Sequence, residues 1–160
     1  MNENKNCIFP GTFNPFTVGH LDIVKRAAAL FGRMTVAVVE DGKPGLLPAA
    51  ERAGLIRKCI GGLKNVGVKT FSGLLVEFCR RENVRLVVRG IRGFDDFQYE
   101  STMLFFNKRF APEIETVYLI TNQEYGHISG SAVRELIRAK ADIAAFVPAE
   151  IKNDLLKLYF

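Results

Sequence analysis

The amino-acid sequence predicts an α/β protein with a doubly wound, five-stranded parallel sheet and helices on both of its faces. Short runs rich in β-branched apolar residues alternate with amphipathic helical patterns along most of the chain. The runs are almost continuously apolar, which is typical of strands buried on both faces of a parallel sheet. Helices between successive strands imply right-handed crossovers, and such crossovers make the strands parallel. Together these observations predict a Rossmann-like architecture.

The first strand, loop and helix form a pattern suited to anion binding. The apolar run Cys7–Phe9 predicts a strand that ends at Pro10-Gly11, and Gly19-His20 precedes an amphipathic helix over Leu21–Phe31. A helix N-terminus after a glycine-containing loop offers free backbone N–H groups and the positive end of the helix dipole. We therefore predict that the phosphates of a nucleotide are held and transferred here, beside the side chains of Thr12 and His20.

The following elements repeat the strand–helix alternation. Strand-type runs are found at Met34–Val39, Val66–Phe71, Val84–Val88 and Glu115–Ile120. Helical spacing of apolar residues predicts helices over Ala49–Ile60, Leu74–Arg81, Phe97–Phe110, Ser131–Lys140 and Pro148–Leu158. The helix at Phe97–Phe110 carries more aromatic residues than one internal face needs, so it predicts either a subunit interface or a thick core. These aromatic residues are Tyr99, Phe105, Phe106 and Phe110.

Length and composition predict one globular domain spanning residues 1–160. Hydrophobic residues make up 48% of the chain and charged residues 24%, and no apolar run approaches the roughly 20 residues of a membrane span. The first six residues are polar and lack the apolar core of a secretory signal, so we expect a cytoplasmic protein. The cysteines Cys7, Cys59 and Cys79 are far apart, and no C-x-x-C pair indicates a zinc site or a disulfide framework.

The net charge of +5 arises from scattered basic residues without a block of five or more. This pattern disfavours nucleic-acid binding, and it is consistent either with a generally basic surface or with a site for small anionic molecules. Ligands of doubly wound sheets bind beyond the carboxyl ends of the strands. The segments that leave the predicted strands carry polar or cationic groups to that edge. They contribute Thr12 and His20, Lys43, Ser72–Leu75, Arg89 and Arg92, and Tyr125–Ser131.

Several of these segments resemble motifs of one enzyme family. Residues 10–20, Pro-Gly-Thr-Phe-Asn-Pro-Phe-Thr-Val-Gly-His, are similar to the T-x-G-H signature region of the nucleotidyltransferase superfamily. Within that superfamily the chain most resembles the bacterial phosphopantetheine adenylyltransferases, with further motifs in the same order and at similar spacing. These motifs are Phe71–Leu75, Arg89–Arg92, Asp96–Glu100, Pro112-Glu113, Ile128–Ser131 and Phe146–Pro148.

The resemblance implies transfer of the adenylyl group of ATP to 4′-phosphopantetheine, which gives dephospho-coenzyme A and pyrophosphate. It also implies Mg²⁺ as the companion of ATP, no metal ligand from protein side chains, and a cytoplasmic homohexamer. Dephospho-coenzyme A and coenzyme A would bind as product-like ligands. Direct in-line attack of the acceptor phosphate on the α-phosphate needs no activated protein nucleophile, because the acceptor is already an oxyanion.

The resemblance also implies roles for individual residues. Catalytic roles go to His20, Lys43 and Arg92. Phosphopantetheine binding goes to Thr12, Lys43, Leu75 and Arg89. ATP binding goes to Thr12, Phe13, His20, Gly90, Ile91, Arg92, Glu100, Tyr125, Gly126, His127, Ile128, Ser129, Gly130 and Ser131.

Two segments depart from the family pattern. The segment around Lys43 is one residue shorter than the usual one and has Pro44 next to the lysine. Gly130 replaces the middle residue of a common run of three serines, which removes a hydroxyl but keeps the backbone donor. We expect phosphate binding to persist there, with weaker ATP affinity.

Residue chemistry alone leaves alternatives open. His20 could act as a helix cap, and Arg89 and Arg92 could form salt bridges with Asp95 or Asp96. Among enzymes, the alternative is another nucleotidyltransferase of the same fold, specific for nicotinate mononucleotide or glycerol phosphate. The alternative of another class is a non-catalytic nucleotide- or RNA-binding module.

Overall fold

The computed structural model describes residues 5–40 and 47–159. Its strands are β1 (Asn6–Gly11), β2 (Arg33–Val39), β3 (Val66–Phe71), β4 (Leu86–Ile91) and β5 (Glu115–Ile120). They form one sheet in the order β3-β2-β1-β4-β5, and every neighbouring pair is parallel. The predicted five-stranded parallel sheet is confirmed.

Helices connect successive strands and follow the last one. They are α1 (Val18–Leu30), α2 (Ala49–Cys59), α3 (Leu75–Arg81), α4 (Phe94–Phe110), α5 (Gly130–Arg138) and α6 (Ala149–Tyr159), with a 3₁₀ turn at Gln123–Tyr125. Within the described ranges, no helix combines the length and the apolar character that crossing a membrane would require.

The two faces of the sheet carry separate clusters of buried side chains. Cys7 and Phe9 of β1 pack with residues of α1, α2, α5 and α6, whereas Ile8 packs with residues of α3. Alternate residues of a strand point to opposite faces, so β1 is covered on both sides. The doubly wound arrangement is therefore confirmed.

The first strand is longer than predicted, because Pro10 and Gly11 continue it rather than end it. They stand in register with Ala37 and Val38 of β2. The N–H and C=O groups of one strand residue point to the same side, and the Pro10 carbonyl accepts from the side chain of Arg89 on β4. The missing N–H of proline is therefore on the β4 side, where no ladder bond requires it.

Other boundaries shift for local reasons. Helix α1 begins at Val18 rather than at Leu21, because Thr17 caps it. Helix α4 begins at Phe94 rather than at Phe97, and the carboxylates in its first turn suit the positive end of the helix dipole. Strand β4 covers Leu86–Ile91 rather than residues 84–88.

The chain reverses its direction across the sheet at β1. From β1 it moves outward through β2 to β3, and it then returns to the opposite side of β1 with β4. Register between β1 and β4 is confined to the pair Ile8–Val87. The two strands diverge beyond this pair, and their carboxyl ends leave a crevice at the position where doubly wound sheets bind ligands.

Helix α4 lies on the outside of the molecule. It contains no buried residue, and Phe105 has 69% of its surface exposed. Tyr99, Phe106 and Phe110 are exposed as well. Of the two predictions for these aromatic residues, the structure disfavours the thick core within a single chain.

The thiols are free and are buried or half-buried. Burial raises the pKa of Cys7 and of Cys59 to about 12 and that of Cys79 to about 11. They are therefore protonated and unreactive near neutral pH.

Candidate active site

Two cavities open at the carboxyl ends of β1 and β4. The first, of about 320 Å³, extends from the start of α1 to the start of α5. The second, of about 430 Å³, extends between α3 and α4. Both volumes are in the range of small-molecule sites. The two cavities share the wall residues Pro10, Gly11, Thr12, Arg89 and Glu100.

His20 lies in the first turn of α1, and Thr17 fixes the tautomer of its imidazole ring. The Thr17 hydroxyl accepts from the His20 backbone N–H at 3.3 Å, and the Thr17 backbone N–H donates to His20 Nδ1 at 3.1 Å. This reciprocal capping satisfies two free N–H groups of the helix end. Because Nδ1 accepts, the neutral ring carries its proton on Nε2. The capping role and a donor role toward the cavity therefore coexist.

The imidazole of His20 is surrounded by aromatic rings. It stacks on Phe16 with ring centroids 5.6 Å apart and meets the edge of Phe13 at 5.1 Å. Burial, with the nearby charges of Arg92 and Arg89, lowers its pKa to about 4. His20 is thus a neutral donor at the wall of the first cavity throughout the physiological range.

Arg89 is at the common wall of the two cavities. Its guanidinium donates to both carboxylate oxygens of Glu100, to Oε2 at 2.8 Å, and to the carbonyl of Pro10 at 2.8 Å. A backbone carbonyl and a carboxylate thus orient the planar guanidinium group of Arg89. This group carries five N–H donors.

Arg92 is held in a similar way at the far side of the first cavity. It donates from Nε and Nη2 to the two oxygens of Asp96, at 2.8 and 2.9 Å, and from Nη1 to the carbonyl of Ile128 at 3.2 Å. Partial burial of Asp96 opposes ionisation. The hydrogen bonds and charge of Arg92 outweigh it and hold the pKa of Asp96 below its usual range. The predicted alternative of an Arg92–Asp96 salt bridge is therefore observed.

Helix α5 directs its N-terminus into the first cavity. The Ser129 hydroxyl caps it by accepting from the Ala132 N–H at 3.1 Å, and it lies 3.2 Å from the hydroxyl of Ser131. Arg134, one turn further along, donates to the main-chain carbonyl of Asn14. The positive end of the helix is thereby fixed against the loop that follows β1.

The loop after β1 is fixed by close contacts and hydrogen bonds. Phe13 has a left-handed backbone with φ of 51° and is buried, and its ring closes over Gly11. A Cβ at Gly11 would lie 2.7 Å from this ring, so only glycine fits. The Asn14 amide oxygen accepts from the Leu47 N–H at 3.4 Å and from the Tyr159 hydroxyl at 3.3 Å.

The second cavity has a more apolar wall. Leu74 and Leu75 line one side, and Tyr99, Met103 and Leu104 of α4 line another. Its end at the shared wall is polar, because Thr12, Arg89 and Glu100 lie there. This lining suits a ligand with a phosphate at one end and a less polar arm.

The structure brings most of the sequence-predicted residues together. The first cavity is lined by Thr12, Phe13, His20, Arg89, Gly90, Arg92, Glu100, Ile128, Ser129, Gly130 and Ser131. Leu75 lines the second cavity. Lys43 lies outside the described residues.

Four of the predicted ATP-site residues are absent from the wall of the first cavity. Ile91 is buried at the end of β4. Tyr125 packs near Gly19, where a Cβ would lie 3.5 Å from that of Tyr125. His127 is exposed, with its ring edge-on to Phe146 at 6.4 Å, and Gly126 precedes it.

Sequence reasoning missed three residues that shape the site: Asn14, Arg52 and Thr121. Asn14 belongs to the motif at residues 10–20 but received no predicted role, whereas it connects α6, α5 and the segment just before α2. Arg52 carried a detectable signal, because it falls on the apolar stripe of α2 with Leu55 and Ile56. Thr121, which follows β5 and is buried in the cavity wall, carried none.

The described part of the chain contains no group of His, Cys, Asp or Glu side chains arranged to hold a metal ion. The carboxylates that line the first cavity, Asp96 and Glu100, are each paired with an arginine. What the cavity offers is a neutral N–H donor, three oriented guanidinium groups and a helix N-terminus. These groups match the oxygens of a polyphosphate rather than a bare cation.

The fold and the site define a nucleotidyltransferase. The family model described as cytidylyltransferase-like matches residues 8–136. A putative nicotinate-nucleotide adenylyltransferase from Vibrio parahaemolyticus has a similar structure, with a TM-score of 0.70 over 95% of this chain and 98% of its own, at 19% identity. At that identity the likeness concerns the fold.

Relatives with similar sequences narrow the family assignment further. A phosphopantetheine adenylyltransferase of Moorella thermoacetica is 44% identical over 97% of this chain and 98% of its own. Those of Clostridium perfringens and Aromatoleum aromaticum are 42% identical, over 92% and 94% of this chain and 91% and 93% of their own. The chain belongs to the phosphopantetheine adenylyltransferase family.

Proposed function

We propose that this protein transfers the adenylyl group of ATP to 4′-phosphopantetheine and releases dephospho-coenzyme A and pyrophosphate. The observation that carries the proposal is the pair of cavities that meet at Thr12 and Arg89. The cationic first cavity suits ATP, and the more apolar second cavity suits a pantetheine arm. Their common wall is where the acceptor phosphate and the α-phosphate would meet.

The chemistry follows from this placement. An oxygen of the acceptor phosphate attacks the α-phosphorus of ATP, and the bond between that phosphorus and the α–β bridging oxygen breaks, so that pyrophosphate leaves with the bonding electrons. Charge accumulates on the α-phosphate oxygens, where the Nε2–H of His20 donates. Arg92 and the N-terminus of α5 bind the departing phosphates, and Arg89 orients the acceptor.

Mg²⁺ enters this scheme as the companion of ATP. We expect the phosphate oxygens of ATP to carry it, in keeping with the preference of Mg²⁺ for phosphates and water.

The test is an assay of pyrophosphate release with purified protein, ATP, Mg²⁺ and 4′-phosphopantetheine. We expect release that requires the acceptor, with dephospho-coenzyme A formed in equal amount. Parallel reactions contain ATP with nicotinate mononucleotide, or CTP with glycerol 3-phosphate. Faster turnover in either would transfer the assignment to that alternative, and ATP binding without any product would indicate a non-catalytic module.

We further propose a homohexamer assembled through α4. The support is the exposed aromatic surface of this helix, since large exposed apolar patches mark interaction sites. The copy number follows the family resemblance. Helix α4 also lines the second cavity, so assembly would fix one wall of the acceptor site.

A cytoplasmic location and a single domain over residues 1–160 stay predictions.

A further inference from the structure

We propose that Arg52 is a positioning residue for the transfer reaction and fixes the Thr12 peptide at the junction of the two cavities. Arg52 lies in the first turn of α2 and has 2% of its surface exposed. It lines neither cavity. Its role would therefore be exerted through the groups that it holds, and not by contact with substrate.

Among the described residues, the guanidinium of Arg52 connects three separate segments. Nη1 donates to the main-chain carbonyl of Thr12, in the loop after β1. Nη2 donates to the carbonyl of Val39, at the end of β2, at 2.9 Å. Nε donates to the carbonyl of Leu47, just before α2, at 2.7 Å. One buried planar group thus ties the site loop to the carboxyl end of the neighbouring strand.

The contact with Thr12 sets the direction of the peptide that follows. The cis peptide bond among the described residues is Asn14–Pro15, so the bond between Thr12 and Phe13 is trans. In a trans peptide the N–H points away from the C=O. With the Thr12 carbonyl held toward Arg52, the Phe13 N–H points to the opposite side. Thr12 and Phe13 both line the first cavity.

The backbone at this point needs such support. Phe13 has a φ of 51°, a left-handed conformation that bulky residues rarely adopt. Such conformations persist where the surrounding structure determines them, and they concentrate at functional sites. The bond from Arg52 fixes the peptide immediately before this residue. Arginine suits the task because its donors reach three carbonyls in one plane, which a lysine ammonium cannot reproduce.

The experiment compares Arg52→Lys with Arg57→Lys, a matched control on the same helix. Arg57 also donates to a backbone carbonyl, that of Val68 at 3.2 Å, but it is exposed and lines neither cavity. We expect Arg52→Lys to lower kcat about tenfold or more and to leave the dissociation constant of ATP within about threefold. Arg57→Lys should keep wild-type kcat.

A double variant with Thr12→Ala separates positioning from a general loss of stability. The Thr12 side chain is carried by the peptide that Arg52 fixes, so Arg52→Lys should already misplace the Thr12 hydroxyl. The double variant should then lose little more activity than the worse single variant. Effects that multiply would overturn the proposal, because independent effects combine in that way. An unchanged kcat in Arg52→Lys would overturn it too.

Melting temperatures and circular dichroism of each variant show whether it is folded. If Arg52→Lys does not fold, Arg52→Gln serves in the same cycle, and failure of both to fold would assign Arg52 to the core alone.

The positioning role of Arg52 depends on the proposed adenylyl transfer, and the two proposals fail in different ways. Absence of turnover in the wild-type protein rejects the function, whereas equal turnover in wild type and Arg52→Lys rejects only the positioning role.

Discussion

His20 combines structural and chemical roles in one side chain. Its Nδ1 accepts from the Thr17 backbone, and its ring is enclosed by Phe13 and Phe16, which leaves Nε2–H as a fixed donor. A donor that is oriented before the reaction begins costs no reorganisation when charge develops on the substrate.

Replacement of His20 by alanine should therefore affect turnover more than binding. We expect kcat to fall by about 10²–10³-fold, the usual cost of one such donor, and the dissociation constant of ATP to change by less than about fivefold. Steady-state kinetics and calorimetric titration measure the two quantities. The control is Lys25→Ala, on the exposed surface of the same helix. Near-normal turnover in His20→Ala would remove His20 from the mechanism.

The low pKa of His20 also predicts how stability depends on pH. In the unfolded chain the ring takes up a proton near pH 6.5, whereas in the folded protein it does so only near pH 4. Between these values the unfolded state binds more protons, so the free energy of unfolding falls as the pH is lowered through this interval. The contribution is fully present above pH 6.5.

Urea unfolding of wild type and His20→Gln at pH 7.5, 6 and 5 tests this dependence. Glutamine is chosen because it can replace histidine in the capping arrangement with Thr17. The stability of wild type relative to the variant should decline as the pH falls. A constant difference between the two proteins would contradict the burial of a neutral imidazole.

At the scale of elements, the contact between α5 and the loop after β1 closes the first cavity. Gly130 stands at this contact, where a Cβ would lie 3.0 Å from the Asn14 carbonyl oxygen. The same carbonyl accepts from Arg134, so Asn14 has little freedom to move. The small residue at position 130 thus suits the close approach of the two segments.

A pair of glycine substitutions distinguishes the effect of this contact from the effect of helix propensity on stability. Gly54, inside α2, has open space around its missing side chain, and Gly54→Ala should raise stability by about 0.5–1 kcal/mol. Gly130→Ala should lack that gain and should lower kcat/KM for ATP at least threefold, because the Asn14 backbone must shift. Thermal melts and kinetics on both variants provide the comparison. Equal behaviour of the two would mean that the α5 contact tolerates a methyl group.

The sequence predicted the elements better than the tertiary contacts between them. Runs such as Met34–Val39 carry their own signal, because burial on both faces demands apolar residues throughout. The strand through Pro10 was missed, because proline is acceptable there only where β4 diverges, and no local pattern shows this. The apolar stripe of α2 indicates that Arg52 is buried, but it does not indicate which groups Arg52 binds. Its partners are backbone carbonyls up to 40 positions away, and a carbonyl has no side-chain signature.

At the scale of the whole molecule, the exposed surface of α4 predicts assembly. In size-exclusion chromatography with light scattering, the wild-type protein should elute with the mass of six chains. Phe105→Glu should shift it to smaller species and raise KM for phosphopantetheine, because α4 lines the acceptor cavity. Leu30→Glu is the control, since Leu30 is also an exposed apolar residue but lies at the end of α1. A wild-type mass of one chain would contradict the proposal.

The shared wall between the two cavities has a consequence for product release. In the proposed reaction each substrate would occupy one cavity, but the product joins both halves in a single molecule. Once one half of such a molecule is bound, the other is presented to its own cavity at a high effective concentration. We expect dephospho-coenzyme A to be retained more tightly than either half alone. Its departure would then be slower than the departure of either substrate.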